Sequence, residues 1–379
     1  MTSSLGPNRH LIGREAELVA RELSTPALMV DLNAFEANLL RMADLVGSAG
    51  RKVRPHAKAH KSSLVGKRQL DAGAVGLCCA TVREAEVLGE AGLSGLLVTT
   101  PVVTPSMVSR LTAVAEQADD LMVVVDSLTG VEIFAEYARP GRPIGILIDI
   151  DMGLGRDGLV EPAEAVALAR RIDELPQLTY RGVQAYYGHL QHVKTLTDRH
   201  AKIAEQWDNL VRFLEALSGA GFAPEIISGG GTGTHHLDLA HGPFTEIQPG
   251  SYLFMDKQYG EVEIAPGGSP FATSLTVAAR VVSTAQPDRV IVDAGSKALS
   301  TDYGPALVVK GAPEGATYQF MGDEHGAIRM PEGANRPPLG GIIELVAPHC
   351  DPTANLHDRF HVMQGGRLVD IWPIEARGY

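Results

Sequence analysis

Eight short apolar runs alternate with longer amphipathic stretches along the first two-thirds of the chain, and this alternation constrains the fold more than any other feature. Such runs are typical of parallel strands that helices cover on the outside. One run ends near Lys58, and the others lie at 76–80, 96–99, 121–125, 144–150, 183–186, 225–228 and 245–254. Eight strand–helix units in roughly 200 residues predict an α/β fold, a (β/α)8 barrel of the TIM type, with a doubly wound open sheet as the alternative. We favour the barrel because polar, glycine-rich groups follow almost every run rather than a single switch point.

Two amphipathic helices are clear from the spacing of their apolar residues. The first follows an apolar strand predicted at 26–32, with Asn33 as its N-cap and Glu36 in the capping-box position. Its apolar face consists of Phe35, Leu39, Met42 and Val46. The second helix carries Ile203, Trp207, Leu210, Leu214 and Leu217 on one face. Each helix therefore has one side to bury against a sheet.

The pattern changes near residue 260, where helix signals become rare. Four β-like runs, at 274–283, 289–293, 341–348 and 366–372, are separated by Gly, Pro and Asp turns. The sequence therefore predicts that a C-terminal, mainly β domain of about 120 residues follows the barrel.

Charge and composition argue against several classes of partner. The net charge is −12 and no long basic run is present, which argues against nucleic acid and anionic membranes. No apolar run approaches the ~20 residues that span a bilayer, and the start of the chain contains no apolar signal core. Three cysteines, two of them adjacent, form no disulfide framework. We therefore expect a cytoplasmic protein.

The stretch from Val53 to Ser62 reads Val-Arg-Pro-His-Ala-Lys-Ala-His-Lys-Ser and is too polar for a core strand. Pro55 limits the residue before it to extended conformations, so the stretch has the character of a strand end that delivers polar groups into a pocket. A lysine there, such as Lys58, can hold a carbonyl compound as a Schiff base, because partial desolvation lowers the pKa of an amine. A solvated basic loop is the alternative, and this stretch alone favours it.

Three glycine-rich stretches, at 151–158, 228–234 and 248–252, follow predicted barrel strands. In barrels the last loops commonly hold phosphate groups, because backbone N–H groups and hydroxyls converge there. The second and third stretches follow the seventh and eighth predicted strands and are candidates for a phosphate site. The alternative is that the glycines only form turns. Arg156, in the first stretch, is placed either to approach a ligand in a fork geometry or to be an exposed turn arginine.

A candidate metal site lies in the sequence Ala-Pro-His-Cys-Asp-Pro at 347–352. If the backbone is extended, His349 and Asp351 point to the same side, and an imidazole with a carboxylate suits Mn²⁺, Co²⁺, Zn²⁺ or Mg²⁺. Two protein ligands leave positions open for water and substrate, as at catalytic metal sites. Cys350 would then point away and pack. A polar turn held by prolines is the alternative for the whole motif.

Histidines also follow the sixth predicted strand. His189 and His192 lie in the run Tyr-Tyr-Gly-His-Leu-Gln-His at 186–192. Either histidine could act as a base near neutral pH, or could be a structural residue with satisfied hydrogen bonds.

With these motifs in this order, the chain resembles the D-threonine aldolase and D-serine dehydratase-like family of pyridoxal-phosphate enzymes, which share the alanine racemase fold. The likeness extends from about residue 25 to residue 378. The resemblance assigns the first predicted strand to the second domain. It thus implies a pyridoxal-phosphate-binding (β/α)8 barrel at 35–256 and a mainly β domain, at 1–34 and 257–379, that carries the metal site. It also implies a homodimer with active sites at the barrel mouth, near the partner's β domain.

The resemblance implies roles for individual residues as well. Lys58 matches the catalytic lysine that forms a Schiff base with pyridoxal 5′-phosphate, and Arg156 matches the arginine that faces the pyridine nitrogen. Tyr186 matches a tyrosine that lines the cofactor site, and His192 matches a histidine near the metal that can act as a base. The matching phosphate-binding positions are Ser228, Gly230, Gly231, Thr232, Gly250, Ser251 and Tyr252.

His349 and Asp351 match the two ligands of a divalent metal, for which Mn²⁺ is favoured over Mg²⁺, Co²⁺ and Zn²⁺. Dehydratases of the family commonly use His-x-Cys for zinc, whereas Asp351 offers a harder oxygen ligand, which favours an aldolase. The implied reaction is cleavage of D-threonine and related D-β-hydroxy-α-amino acids to glycine and an aldehyde. The alternatives are a 3-hydroxy-D-aspartate aldolase and a dehydratase of D-serine or D-threo-3-hydroxyaspartate. The chain departs from the family pattern at Ala80 and His189, and both departures concern the substrate pocket.

Overall fold

The computed structural model describes residues 6–378, so the first five residues and the last residue of the predicted domain ranges lie outside it. Its strands, in chain order, are β1 (Ala27–Asp31), β2 (Lys52–Val53), β3 (Leu77–Cys79), β4 (Leu96–Val98), β5 (Met122–Val125), β6 (Ile144–Asp149), β7 (Leu178–Ala185), β8 (Ile226–Gly229), β9 (Glu246–Ile247), β10 (Leu275–Ser283), β11 (Arg289–Val292), β12 (Leu307–Lys310), β13 (Thr317–Phe320), β14 (Gly326–Arg329), β15 (Ile342–Val346), β16 (Arg359–Gln364) and β17 (Arg367–Pro373). Its α-helices are α1 (Ala16–Glu22), α2 (Leu32–Ser48), α3 (Ser63–Asp71), α4 (Val82–Glu90), α5 (Pro105–Ala115), α6 (Leu128–Tyr137), α7 (Pro162–Asp173), α8 (Leu196–Gly219), α9 (His235–His241), α10 (Lys257–Gly260) and α11 (Cys350–Asn355).

Strands β2 to β9 form one parallel sheet in the order β2-β9-β8-β7-β6-β5-β4-β3. The two ends of this order meet, because His56 and Cys78 form a parallel bridge and the Cys78 N–H donates to Pro55 O at 2.9 Å. The sheet therefore curls into the predicted (β/α)8 barrel rather than a doubly wound open sheet. In a parallel barrel all carboxyl ends lie on one face, so residues that follow the strands converge at one mouth.

Side chains of the barrel strands alternate between two sides. One set packs against the helices, where residues such as Phe134 and Leu168 are buried. The other set fills the barrel interior, where a separate apolar cluster consists of Cys78, Leu97, Met122, Val124, Leu147 and Ile226. Because both sides are buried, the strands need continuous apolar runs, and this requirement explains the sequence pattern.

A buried ion pair also lies inside the barrel. Arg54 donates from Nε to Glu246 Oε1 at 2.7 Å and from Nη2 to Oε2 at 2.9 Å, and the two side chains are 3% and 2% exposed. The third guanidinium nitrogen donates to Gly95 O. Burial lowers the pKa of Arg54, but Glu246 raises it, and the net shift is upward. The pair is therefore charged, and each partner depends on the other.

Replacing Glu246 by alanine should lower the free energy of unfolding by roughly 3–5 kcal/mol, because the change leaves the Arg54 cation buried without its partner. Chemical denaturation of the purified protein, followed by circular dichroism, measures this loss. The more exposed pair of Arg181 and Glu225 provides a matched control. Since exposed pairs contribute little, Glu225→Ala should cost less than about 1 kcal/mol. Equal losses in the two variants would contradict the role of burial.

The remaining strands form a second, nine-stranded sheet in the order β13-β14-β11-β10-β1-β16-β17, with β15 paired to β10 and β12 paired to β15. Strand β1 precedes the barrel in sequence but lies inside this sheet, antiparallel to β10 and parallel to β16. Its place agrees with the assignment of the first strand that the resemblance implies. The domain boundaries at 34/35 and 256/257 stay predictions.

Helix α2 begins earlier than the sequence indicates. Its N-cap is Asp31 rather than Asn33, and Asp31 Oδ1 accepts a hydrogen bond from the Ala34 N–H at 3.1 Å. The predicted apolar face is buried, with Phe35, Leu39, Met42 and Val46 all turned inward. In the second sheet, the sequence pattern does not predict β12, β13, β14 or β16. Strands β12 and β13 are four residues long and have mixed exposure, which gives weak alternation.

The longest helix of the described chain is α8, which spans 24 residues. Its predicted face is inward, with four residues buried and Leu214 partly buried; the buried ones are Ile203, Trp207, Leu210 and Leu217. No helix within residues 6–378 is both long and apolar enough to cross a lipid bilayer.

Candidate active site

Lys58 lies at the barrel mouth, on a turn of 3-10 helix that follows β2, and it lines three adjoining cavities. The first cavity is also lined by Arg156 and Tyr186. The second is also lined by the glycine-rich loops after β8 and β9, and by His349 and Asp351. The third is mainly apolar. The structure therefore brings the separate sequence motifs together around one lysine.

The charge environment of Lys58 differs from the prediction. Burial lowers its pKa, but Tyr186 and Asp351 raise it, and the net shift is upward. The expected lowered pKa is therefore wrong, because the charge interactions of Lys58 with Tyr186 and Asp351 outweigh the effect of desolvation. For Asp351, burial raises the pKa, but His349 and Lys58 lower it, and the net shift is downward. Lys58 and Asp351 therefore stabilise each other's charged forms.

Arg156 lies in the turn that follows β6. Asp151 Oδ1 accepts hydrogen bonds from two backbone N–H groups of this turn, at 2.9 and 3.0 Å, and so fixes its shape. The guanidinium carbon of Arg156 is 5.8 Å from the centre of the Tyr186 ring, and its Nε donates to Asp157 Oδ1 at 3.0 Å. Arg156 lines the first cavity and is about half exposed, so its two terminal nitrogens are available to a ligand.

The loops after β8 and β9 contact each other beside the second cavity. The Tyr252 N–H donates to Thr232 Oγ1 at 3.0 Å, which ties the two loops together. Four residues of the loops line the cavity: Gly231, Thr232, Gly250 and Ser251. Within the described chain, the backbone N–H groups of Thr232, Gly250 and Ser251 donate to no protein acceptor, so they are available to an anion.

Three predicted phosphate-binding positions lie away from this cavity. Ser228 is buried inside the barrel, where its hydroxyl donates to the carboxylate of the buried ion pair at 2.7 Å. Gly230 has a φ of +64° and lies against Asp238. The Tyr252 ring is buried, and its hydroxyl accepts a hydrogen bond from Gln69 Nε2 at 3.2 Å. The structure therefore does not bring the Ser228 and Tyr252 side chains to the same place as the free N–H groups.

His349 and Asp351 lie together at the barrel mouth, but not on an extended segment. Strand β15 ends at Val346 and helix α11 begins at Cys350, so Asp351 lies in the first helical turn. The predicted extended backbone is wrong there, yet the two side chains face each other, with His349 Nε2 and Asp351 Oδ2 4.0 Å apart. Ligands of one ion, at bond lengths of about 2.1 Å, lie roughly 3–3.5 Å apart, so a small side-chain adjustment suits both to one ion.

Asp302 completes the surroundings of His349. Its Oδ2 lies 2.7 Å from His349 Nδ1, an arrangement that holds the ring proton on Nδ1 and leaves a lone pair on Nε2. Metal-binding histidines commonly have such a carboxylate partner. Among residues 6–378, no group of three or more His, Cys, Asp or Glu side chains is arranged to hold a metal. The residues present therefore fit a divalent ion with two protein ligands and open positions for water or substrate.

His192 lines the second cavity, whereas His189 is exposed and lines none of the three. The centre of the His192 ring is 4.4 Å from that of Tyr259, and Nε2 is buried without a hydrogen-bond partner in the described chain. Burial, and then the neighbouring His349, lower the pKa of His192 to about 4. The sequence predicts that His189 or His192 could act as a base near neutral pH. His192 is a neutral imidazole at that pH with a free nitrogen, so its role as a base stays a prediction.

Several residues of the site are not identified by the sequence reasoning. His56, Gln248 and Tyr303 line the cavities, while Gln191 and Asp302 hold groups of the site in place. His56 and Gln248 lie inside the stretches 53–62 and 248–252 that the sequence analysis identifies, so their place in these motifs could have marked them as site residues. Asp302 is 47 residues from its partner histidine, and no local pattern marks it or the neighbouring Tyr303.

Known proteins resemble this chain along nearly all of its length. Residues 30–258 match the family model of the alanine racemase N-terminal domain, and residues 274–363 match that of a putative serine dehydratase domain. A D-threonine aldolase from Arthrobacter sp. is 40% identical over 359 residues, which cover 94% of this chain and 93% of the relative. A 3-hydroxy-D-aspartate aldolase from Paracoccus denitrificans strain Pd 1222 is 36% identical over 363 residues, which cover 94% and 93%. The crystal structure of D-threonine aldolase from Filomicrobium marinum is 36% identical, with a TM-score of 0.89 over 94% of this chain and 96% of that chain.

Proposed function

Because this chain belongs to the family that joins an alanine racemase N-terminal domain to a serine dehydratase domain, we propose that it is a pyridoxal-phosphate- and metal-dependent aldolase that cleaves D-threonine and related D-β-hydroxy-α-amino acids to glycine and an aldehyde. It is an enzyme of the carbon–carbon lyase type, since relatives that share nearly its whole length are aldolases. Manganese as the metal and a homodimer as the assembly, which the resemblance implies, are part of this proposal.

The observation that supports the proposal most is the meeting of Lys58 with His349 and Asp351 in one cavity. A lysine amine suits the aldehyde group of pyridoxal phosphate. An imidazole and a carboxylate with open positions suit a catalytic divalent ion. A racemase would need no metal, and a non-catalytic cofactor carrier would need neither the metal pair nor the second sheet.

The residues at the barrel mouth fit pyridoxal 5′-phosphate. Lys58 would bond its aldehyde carbon, Arg156 would face its ring nitrogen, and the free N–H groups of Thr232, Gly250 and Ser251 would hold its phosphate. When bound, this cofactor serves as an electron sink for charge that develops at the substrate α-carbon. Arg156 has only donors to offer, so it would leave the ring nitrogen without a proton.

The residues around the second cavity provide the remaining chemistry. His349 and Asp351 would hold the metal, which acts as a Lewis acid toward the substrate β-hydroxyl when bound. Asp302 keeps the His349 ring oriented through its hydrogen bond at 2.7 Å. His192, a neutral imidazole with a free Nε2, would accept the hydroxyl proton.

Product identification from the purified protein with D-threonine, pyridoxal 5′-phosphate and Mn²⁺ tests the proposal. We expect glycine and acetaldehyde in equal amounts, and neither product from L-threonine under the same conditions. The formation of 2-oxobutanoate and ammonia would instead identify a dehydratase. If D-threonine is not turned over but 3-hydroxy-D-aspartate is cleaved, the reaction stands and the substrate changes.

A further inference from the structure

Beneath the loop that follows β8 lies a buried carboxylate, Asp238, that the chemistry described above does not use. Asp238 is on α9, is 1% exposed and does not line the cavities around Lys58. Its Oδ1 accepts a hydrogen bond from the Tyr187 hydroxyl, and its Oδ2 accepts one from Thr234 Oγ1 at 2.6 Å. Both carboxylate oxygens therefore act as acceptors, and Asp238 fixes the direction of two hydroxyl groups.

The Thr234 hydroxyl transmits this constraint to the loop. A hydroxyl has one proton to donate, and that proton goes to Asp238. Its lone pairs are then free to accept hydrogen bonds from the Gly231 N–H and from Gln191 Nε2, both at 3.1 Å. Without the carboxylate, the Thr234 proton could turn toward these donors and compete with them.

Gln191 holds the other end of the same loop. Its Oε1 accepts a hydrogen bond from the Gly233 N–H at 3.0 Å, while its Nε2 donates to Thr234. The N–H groups of Gly231 and Gly233 thus point toward Thr234 and Gln191. The residue between them, Thr232, keeps an N–H without a protein acceptor and lines the cavity.

The close contacts of the loop with Asp238 and Gln191 explain why the loop contains glycines. A Cβ atom at Gly230 would lie 2.3 Å from Asp238 Oδ2, and one at Gly231 would lie 2.5 Å from Gln191 Oε1. A Cβ at Gly233 would lie 1.9 Å from the Gln191 carbonyl oxygen. Because glycine has no Cβ, the loop backbone packs directly against Asp238 and Gln191. These contacts fix the position of the loop as well as its hydrogen bonds.

We propose that Asp238 is a positioning residue for a phosphate monoester. Through Thr234 and Gln191, Asp238 holds the loop 230–233 so that the free N–H of Thr232 faces the ligand. The inference rests on the proposed function, because it takes the phosphate of pyridoxal 5′-phosphate as that ligand. Asp238 touches no ligand itself. Its effect is on the recognition of the phosphate and not on the aldehyde end of the cofactor, which Lys58 would bind.

The test compares two probes that differ only in the phosphate, pyridoxal 5′-phosphate and pyridoxal. Each is titrated into the full-length protein, and binding is followed by the visible absorbance of the Schiff base. For Asp238→Asn, we expect the affinity for pyridoxal 5′-phosphate to fall roughly ten- to a hundredfold, because an amide cannot accept from both hydroxyls. The affinity for pyridoxal should stay unchanged. Asp208→Asn, the same change on the exposed side of α8, should alter neither affinity.

The outcomes separate the inference from the proposed function. If Asp238→Asn weakens both probes equally, or neither, Asp238 is a packing residue and the inference is wrong. If the wild-type protein binds neither probe, the proposed function itself fails. Thr234→Val removes the connecting hydroxyl at nearly constant volume and provides a second variant. It should show the same phosphate-selective loss, and an equal loss of both probes would overturn the inference in a protein whose Asp238 is intact.

Discussion

Replacing Lys58 by alanine is expected to abolish turnover and the visible absorbance of bound pyridoxal phosphate together. Lys58 provides the amine where the three cavities of the barrel mouth meet, and alanine cannot form a Schiff base with an aldehyde. Removal of a residue that acts in the reaction typically costs several orders of magnitude, so we expect a rate loss of roughly 10³-fold or more. Glycine formation and the absorbance spectrum, measured on the same samples, check both parts.

Two further variants separate the chemistry of this amine from its charge. Arginine at position 58 keeps a positive charge beside Asp351, whose pKa is lowered partly by Lys58, but a guanidinium does not replace the amine as a nucleophile. Lys58→Arg should therefore be as inactive as Lys58→Ala. Lys52→Ala, at an exposed lysine of β2, should keep full activity. A Lys58→Ala protein with undiminished rate would remove Lys58 from the mechanism.

The barrel could be predicted from the sequence because each strand buried on both sides needs a continuous apolar run. The prediction at 144–150 agrees with β6 (Ile144–Asp149), but the predicted run at 245–254 contains only the two-residue strand β9. Polar and glycine residues interrupt that run after Ile247 and form the loop that carries free N–H groups at Gly250 and Ser251. Strand β9 therefore ends just before the residues whose backbone N–H groups are free for a ligand. The apolar pattern of the sequence does not show where this change occurs.

His349 and Asp351 face each other although the extended backbone that the sequence predicts for them is wrong. Prolines around His349 indicate an extended or turn segment, but Pro352 lies in the first turn of α11, where proline loses no helical hydrogen bond. The helix begins there because Asp256 Oδ2 accepts a hydrogen bond from the Cys350 N–H at 2.9 Å. Asp256 is 94 residues earlier in the chain, so no window of sequence around the motif contains this contact.

The charge interactions at the site could not be predicted from local sequence for the same reason, because they join residues that are far apart in the chain. The upward shift in the pKa of Lys58 depends on Tyr186, which follows β7, and on Asp351, which lies in α11, far from Lys58 in the sequence. The lowered pKa of His192 depends on burial and on His349, neither of which its neighbours in sequence reveal. The residue types of a site can thus be read from motifs, whereas its electrostatics require the fold.

Replacing His349 by alanine should remove the metal-dependent activity and spare the cofactor absorbance. Lys58 and the free N–H groups of the loops after β8 and β9 are separate from His349, so Schiff-base formation does not require this imidazole. With Asp351 as the one remaining protein ligand, binding of Mn²⁺ should weaken by more than the roughly 10–100-fold that loss of a supporting hydrogen bond costs. Calorimetric titration with Mn²⁺ measures the affinity, and His325→Ala, at an exposed histidine in the turn between β13 and β14, should match the wild type.

Variants at Asp302 turn this test into a graded one, because Asp302 acts on the metal only through the His349 ring. Asn at position 302 can still accept the Nδ1 proton but lacks the negative charge, so Mn²⁺ affinity should fall roughly tenfold. Alanine removes the acceptor as well, and the loss should approach roughly 100-fold. The order wild type, Asp302→Asn, Asp302→Ala, His349→Ala is therefore expected for both affinity and activity. Unchanged activity after complete removal of divalent ions by a chelator would show that the His349–Asp351 pair serves a purpose other than metal binding.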